Sequence, residues 1–191
     1  MTRLSELAQF LVKQPKGILA ADESNATMDN RLLSIGLDGT EFRRKGWREL
    51  IFSTPGLNEY VSGIIMYDET VRQKSQLGQS FVGMLTSFGI VPGVKVDTGT
   101  EHLVDSDGEF LTHGLDGLSK RLREYKNFDI QFTKWRSVLN IGPNTPSDDC
   151  IRLNANRLSK YASIAQREGF VPIVEPEVLM DGDHSLKKCY E

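Results

Sequence analysis

Cysteine is nearly absent from this chain: two residues in 191, Cys150 and Cys189. They are too few for the multi-bridge framework of a small secreted domain, and they lack the spacing of a metal-ligand pair. A surplus of either charge is lacking too. Lys and Arg number 23 against 26 Asp and Glu, a net of −3, which argues against the cationic surface of a non-specific nucleic-acid binder. Long apolar runs are missing: none approaches the roughly 20 residues that cross a bilayer. The opening MTRLSELAQFLVKQPKG has no signal-peptide core. The three histidines, His102, His113 and His184, are scattered without ligand spacing or a Ser or Cys partner, so they indicate neither a metal centre nor a triad. What remains, 39% hydrophobic and 26% charged, is ordinary globular composition. The expectation is a soluble cytoplasmic protein, with no nucleic-acid or membrane partner.

Short apolar runs recur along the chain, at GILAAD (17–22), SGIIMYD (62–68), VPGVKVD (91–97), DIQFTKWR (129–136) and FVPIVEPEV (170–178). Several are continuous instead of alternating, as in parallel strands covered on both faces. Helical spacing fills the intervals. Leu4, Leu7, Ala8 and Leu11 share a face, and residues 40–52 place Phe42, Trp47, Leu50 and Ile51 among charges. Phe81, Met84, Leu85 and Phe88 make a third stripe, and Leu115, Leu118, Leu122 and Tyr125 a fourth. The clearest helix covers 148–168, with Ile151, Ala155, Leu158, Ala162 and Ala165 as its stripe, Ser147 as its cap and Gly169 at its end. The Trp and Phe residues on these stripes read as core.

The repeated unit is therefore βα, and each interval is long enough for a crossover. An open doubly wound sheet and a closed (β/α)8 barrel both use such units. GILAADES has no G-x-G-x-x-G turn after its strand, which weakens the dinucleotide version of the first. The barrel needs eight strands and typically ~250 residues, whereas five runs are present. The expected fold class is α/β, a TIM (β/α)8 barrel of which this chain supplies about the first five βα units. Residues 1–191 are then the N-terminal portion of a single barrel domain.

Charges fall at the carboxyl ends of the runs: Asp22 and Glu23, Asp68 and Glu69, Lys95 and Asp97, Lys134 and Arg136, Glu175 and Glu177. Charge inside an apolar strand is costly unless it is paired or used, and in a barrel these ends converge on one mouth. The i, i+2 spacing puts Lys134 and Arg136 on one side of their strand, where they could grip a phosphate or carboxylate. Glu175 and Glu177 likewise share a side, and close like charges raise the pKa of one carboxyl into proton-transfer range. Asp68 and Glu69 read as a helix cap or a solvated rim.

GILAADES (17–24), PGVKVD (92–97), FTKWRSVLNI (132–141), NANRLSKYASIAQREGFVPIVEPEVL (154–179) and DGDH (181–184) resemble class I fructose-1,6-bisphosphate aldolase. The resemblance extends over essentially the whole chain. It implies a (β/α)8 enzyme, a lyase of glycolysis, that reversibly cleaves fructose 1,6-bisphosphate into dihydroxyacetone phosphate and glyceraldehyde 3-phosphate. It implies a lysine Schiff base and no metal or other cofactor. Through the matching motifs, Asp22 resembles the carboxylate that handles hydroxyl protons around the bond being cleaved. Lys134 looks like the lysine beside the reacting carbons, and Arg136 and Lys95 like residues of the 6-phosphate region. Glu175 resembles the general acid/base of carbinolamine chemistry, and Glu177 the second carboxylate that tunes it. Thr27 stands where the family commonly has a serine, Arg31 where it has an arginine near the 1-phosphate, and Arg43 with Arg44 where it has a basic pair linked to substrate binding. Ala26 and Asn140 depart from a family glycine and lysine outside the chemistry.

The family's Schiff-base lysine belongs to the sixth strand, beyond Glu191, and neither Lys187 nor Lys188 matches it. The 191 residues alone are therefore expected to be inactive. The complete protein is expected to be a homo-oligomer that takes a sugar bisphosphate and needs the C-terminal part of the barrel. The alternatives are a non-catalytic binding or structural protein derived from the aldolase fold, or an enzyme for another phosphorylated sugar.

Overall fold

The computed structural model describes residues 3–106 and 108–191. It begins with α1 (Arg3–Leu11), β1 (Gly17–Ala21), α2 (Asn25–Ser34), α3 (Glu41–Phe52) and α4 (Leu57–Tyr60). Next come β2 (Val61–Met66), α5 (Asp68–Arg72), α6 (Phe81–Ser87) and β3 (Val91–Lys95), then a short hairpin of β4 (Thr100–His102) and β5 (Phe110–Thr112). It continues through α7 (Leu118–Lys126), β6 (Phe132–Leu139), α8 (Asp148–Arg167), β7 (Val171–Val178) and α9 (Leu186–Tyr190). Ser24, Thr40, Ser80 and Ser147 cap α2, α3, α6 and α8, each accepting the N–H three residues on.

The main sheet has five strands in the order β1-β2-β3-β6-β7, every neighbouring pair parallel. Consecutive βα units thus lie side by side with no reversal. That is the strand order of a (β/α)8 barrel, and it excludes a doubly wound sheet, whose order turns back at a switch point. Among the described residues no helix is long and apolar enough to cross a membrane.

Period-two alternation explains the two faces. Leu19, Ile64, Met66, Val94 and Trp135 face the helices and join Phe52, Phe81, Leu85, Leu122 and Tyr161 in the larger core. Trp135 stacks on Tyr161 at 5.4 Å between ring centroids, and each such fully buried side chain contributes roughly 1.5–3 kcal/mol. The concave face carries Ile18, Ile65, Val91, Phe132, Val171 and Ile173, and Leu4, Leu7, Ala8 and Leu11 of α1 close it from below. This is the stripe read for residues 4–14. Toward the carboxyl ends the concave face carries the charges Lys95, Lys134, Arg136, Glu175 and Glu177.

Phe132 fills the floor of the concave face because its neighbours there have no side chain. A Cβ on Gly93 would lie 2.3 Å from the Phe132 ring, and one on Gly63 would lie 2.6 Å from Leu11. Gly93→Ala is therefore expected to destabilise the protein by about 1–3 kcal/mol, the usual cost of overpacking. A chemical-denaturation midpoint equal to that of the parent would refute this.

Three expectations change. Trp47, Phe42 and Leu50 of α3 are 39%, 71% and 63% exposed, so they are not core; the helix instead buries Phe52 and Arg48, the latter through charge pairing. The buried face of α8 is Cys150, Asn154, Leu158, Tyr161 and Ala165, while Ile151 is exposed. Asn154 turns inward because its amide holds the hairpin, donating to the Phe110 carbonyl at 3.0 Å and accepting from the Thr112 N–H at 3.3 Å. Finally, β6 runs on to Leu139, past the end of its apolar run at Arg136, because its ladder with β7 continues to the Leu139–Val178 pair.

Candidate active site

The parallel register brings the strand-end charges together. Lys95 of β3 pairs with Lys134 of β6, and Arg136 pairs with Glu175 of β7. Just beyond β1, Asp22 reaches across with Oδ2 2.8 Å from the Lys134 ammonium. On the other side Glu175 Oε2 lies 3.1 Å away. Lys134 and Asp22 are almost wholly buried, whereas the Glu175 side chain remains 34% exposed. Burial opposes the ammonium form of Lys134, but the hydrogen bond and charge of Asp22, joined by Glu175, outweigh it and raise the lysine pKa above its ordinary value.

The two glutamates are not an isolated like-charged pair. Arg136 donates from Nε to Glu177, and this bond holds the Glu177 carboxyl below the usual carboxylate range. Each carboxylate faces its own cation, so repulsion does not push Glu177 upward.

A fourth carboxylate, Asp97, was visible in sequence only as a strand-end charge. Burial pushes the Asp97 carboxyl up; its Oδ1 is 3.7 Å from Lys95 Nζ, and Oδ2 accepts the Arg136 N–H at 3.3 Å. Lys95 also lies 5.3 Å from the centre of the Tyr67 ring, a cation–π distance. Ser24, Thr27, Tyr67, Lys95, Asp97 and Arg136 surround a cavity of about 280 Å³. Two cations, the hydroxyls of Ser24, Thr27 and Tyr67 and a loop end leading into α2 can hold an anion. A larger cavity of about 500 Å³ lies beside α7 and α8. Its arginines are already engaged: Arg121 with the carbonyls of Val96 and Gly114, and Arg157 with the Thr112 carbonyl and Glu101.

The remaining arginines of the sequence reading lie outside the anion cavity. Arg44 bridges Glu69, at 2.9 and 2.7 Å, and Asp29, at 2.7 Å; its pKa is raised, first by the hydrogen bond it donates to Glu69. Arg43 is exposed, and its N–H donates to the Thr40 cap at 3.3 Å. Arg31 bonds Glu23. Glu69 also accepts from Asn25 at 3.0 Å. Asp68 accepts from Arg72 and from the Tyr125 hydroxyl at 2.8 Å. Neither acid is a simple solvated rim.

Sequence reading missed Arg48. It is 2% exposed and grips Glu23 twice, at the carboxylate (2.5 Å) and at the backbone carbonyl (3.2 Å). It thereby ties α3 to the loop that follows Asp22. The signal was an arginine one residue from the apparent apolar stripe of α3, which periodicity assigns to solvent. Burial alone would raise the Glu23 pKa, but Arg48 and the backbone overcome it and hold it low. The resulting stability is full above the unfolded carboxyl pKa and is lost as pH falls through the lower folded value. Arg48→Met is expected to cost about 1.5–3 kcal/mol near neutrality, the range for hydrogen bonds to charged groups, and to flatten the acid limb of the stability curve. An unchanged acid limb would show that the pair contributes nothing.

A curled sheet of sequential parallel strands, with a buried lysine between two carboxylates at the carboxyl ends, defines a (β/α)-barrel class of protein with a charged centre at the mouth. Comparisons then identify which such barrel this is. The family model for glycolytic class-I fructose-bisphosphate aldolase matches residues 3–191, and the chain belongs to that family. It is 48% identical over 189 residues to a probable fructose-bisphosphate aldolase class 1 of Xanthomonas campestris, a match covering 99% of this chain and 57% of the relative. It is 50% identical over 187 residues to the muscle-type fructose-bisphosphate aldolase of Lethenteron camtschaticum, covering 97% and 52%. The fold overlays on fructose-bisphosphate aldolase from Plasmodium falciparum, solved in complex with TRAP and a small-molecule inhibitor, with a TM-score of 0.94 and 45% identity over 97% of this chain and 54% of that one. The chain thus spans about half the length of the curated relatives it matches.

Proposed function

We propose that these residues are the N-terminal portion of a single (β/α)8 domain of a cytoplasmic class I fructose-bisphosphate aldolase, which reversibly cleaves fructose 1,6-bisphosphate through a lysine Schiff base. The observation that carries this reading is the Asp22–Lys134–Glu175 line at the mouth of the sheet, flanked by the Lys95–Arg136 cavity. Two supports stand behind the barrel. Among the described residues β1 and β7 each pair on one edge alone, and the relatives are about twice as long.

In this reading the cavity of Thr27, Lys95 and Arg136 takes the 6-phosphate, whose charge needs donors that are already in place. Asp22 and Lys134 exchange protons with the hydroxyls around the bond being cleaved, and Glu175 serves the carbinolamine. Glu177 holds the Arg136 fork toward the phosphate. Arg31, Arg43 and Arg44 are proposed for the 1-phosphate side, where Arg31 and Arg43 have exposed side chains and Arg44 would have to exchange partners. The amine of the Schiff base comes from the sixth strand, and the complete enzyme is a homo-oligomer.

Replacing Arg136 with Ala tests the phosphate assignment in the complete enzyme. The expected result is a KM for fructose 1,6-bisphosphate raised at least about tenfold, since a charge-assisted hydrogen bond contributes roughly 1.5–3 kcal/mol. The KM for fructose 1-phosphate, which lacks the second phosphate, should change little. Equal losses for both substrates would make Arg136 a structural residue.

A further inference from the structure

Arg136, Val138 and Thr100, which line the anion cavity, also line a second cavity of about 280 Å³, to which the proposed reaction assigns no substrate group. Its apolar walls are Phe110 of β5, Val138 of β6, Leu179 just past β7 and Cys150 at the start of α8. Phe110 is 39% exposed, and His102 packs against it at 4.4 Å between ring centroids, which braces that wall. Among the described residues two charged groups line the cavity, Glu109 and Arg136. Glu109 is occupied, because its oxygens accept the Ser147 N–H and hydroxyl, each at 2.6 Å. Arg136 has capacity left: Nε bonds Glu177, the side chain is 42% exposed, and a guanidinium carries five donors. The same residue lines both this cavity and the anion cavity.

We propose that this cavity binds the aromatic ring of an aryl phosphate monoester, with the phosphate on Arg136 and the ring between Phe110, Val138 and Leu179. Charge complementarity sets the anion. The apolar walls and a volume close to that of small-ligand clefts set the ring. From the functional reading the proposal takes one thing, the anion-binding role of Arg136.

Calorimetric titrations of the complete protein with phenyl phosphate, inorganic phosphate and phenol, together with methyl NMR of Leu179, which lines this cavity and not the anion cavity, test it. Phenyl phosphate is expected to bind at least about tenfold tighter than inorganic phosphate, from the apolar area of one ring, and to shift both methyl groups. Phe110→Ala, or Leu179→Ala, which remove walls that the anion cavity does not share, should remove that advantage and leave inorganic phosphate affinity unchanged. Arg136→Ala should weaken both phosphates. Equal affinity for the two phosphates, or tighter phenyl phosphate binding without methyl shifts, would overturn the pocket and leave the phosphate role of Arg136 standing. Phosphate affinities unaffected by Arg136→Ala would overturn both.

Discussion

Replacing Lys134 with Met is expected to lower the unfolding free energy by about 3–5 kcal/mol, the cost of removing one partner of a buried ion pair. Asp22 would be left buried with its carboxylate facing an apolar side chain, and Glu175 would lose its nearest cation. Met keeps most of the volume of Lys, so the loss is electrostatic and not a cavity effect. Asp22→Asn should restore part of the stability in the Lys134→Met background, giving a coupling energy of about 0.5–3 kcal/mol in a double-mutant cycle. The pH dependence follows from the raised lysine pKa. Its stabilising contribution is fully present below the unfolded value near ~10.4 and disappears as pH rises through the higher folded value. Denaturant titrations should therefore show the parent approaching Lys134→Met as pH rises on the alkaline side. Additive single-mutant effects would mean that the 2.8 Å contact carries no net energy.

Much of this architecture is legible because burial on both faces makes a parallel strand an unbroken apolar run. Each of the five runs is a strand of the sheet, in sequential order. The hairpin of β4 and β5 escaped notice because each arm is three residues long, too short for alternation to show. The connection between its arms uses left-handed conformations at Asp105 and Gly108, which Asp and Gly tolerate best. Helix α2 was hidden differently. NATMDNRLLS buries only Met28 and Leu32, and its clearest signal was the capping serine ahead of it. In α3 and α8 the existence of a helix was readable but its rotation was not, because Arg48 and Asn154 are buried through hydrogen bonds that hydropathy counts as exposure.

At the candidate site, strand alternation predicted which charges share a face, and the register then aligned Arg136 with Glu175. Which carboxylate meets which cation was not predictable, since that depends on side-chain reach across neighbouring strands. The Glu175–Glu177 spacing suggested mutual repulsion, whereas Arg136 reaches Glu177 and Lys134 reaches Glu175. Spacing within one strand describes a face; the partner strand determines the electrostatics.

That pairing shapes the last expected result. An imine forms from an unprotonated amine, and Lys134 is held as an ammonium by Asp22 and Glu175, so it suits proton donation and not nucleophilic attack. Glu175 differs from its buried neighbours in being one-third exposed, with a carboxylate that can reach an incoming carbinolamine while Lys134 steadies its charge. If Glu175 carries the proposed acid/base role, its amide variant keeps the shape and loses the proton transfer. The complete protein incubated with dihydroxyacetone phosphate and borohydride should then gain one reduced adduct, and Glu175→Gln should slow its formation by about 10²- to 10⁴-fold, the worth of a positioned proton-transfer group. Glu175→Asp should recover part of the rate, and circular dichroism should show both variants folded. The adduct should map outside residues 1–191. A reduced adduct on Lys95 or Lys134 would overturn the assignment, because one of the two would then have to lose its proton beside the carboxylate that now holds it.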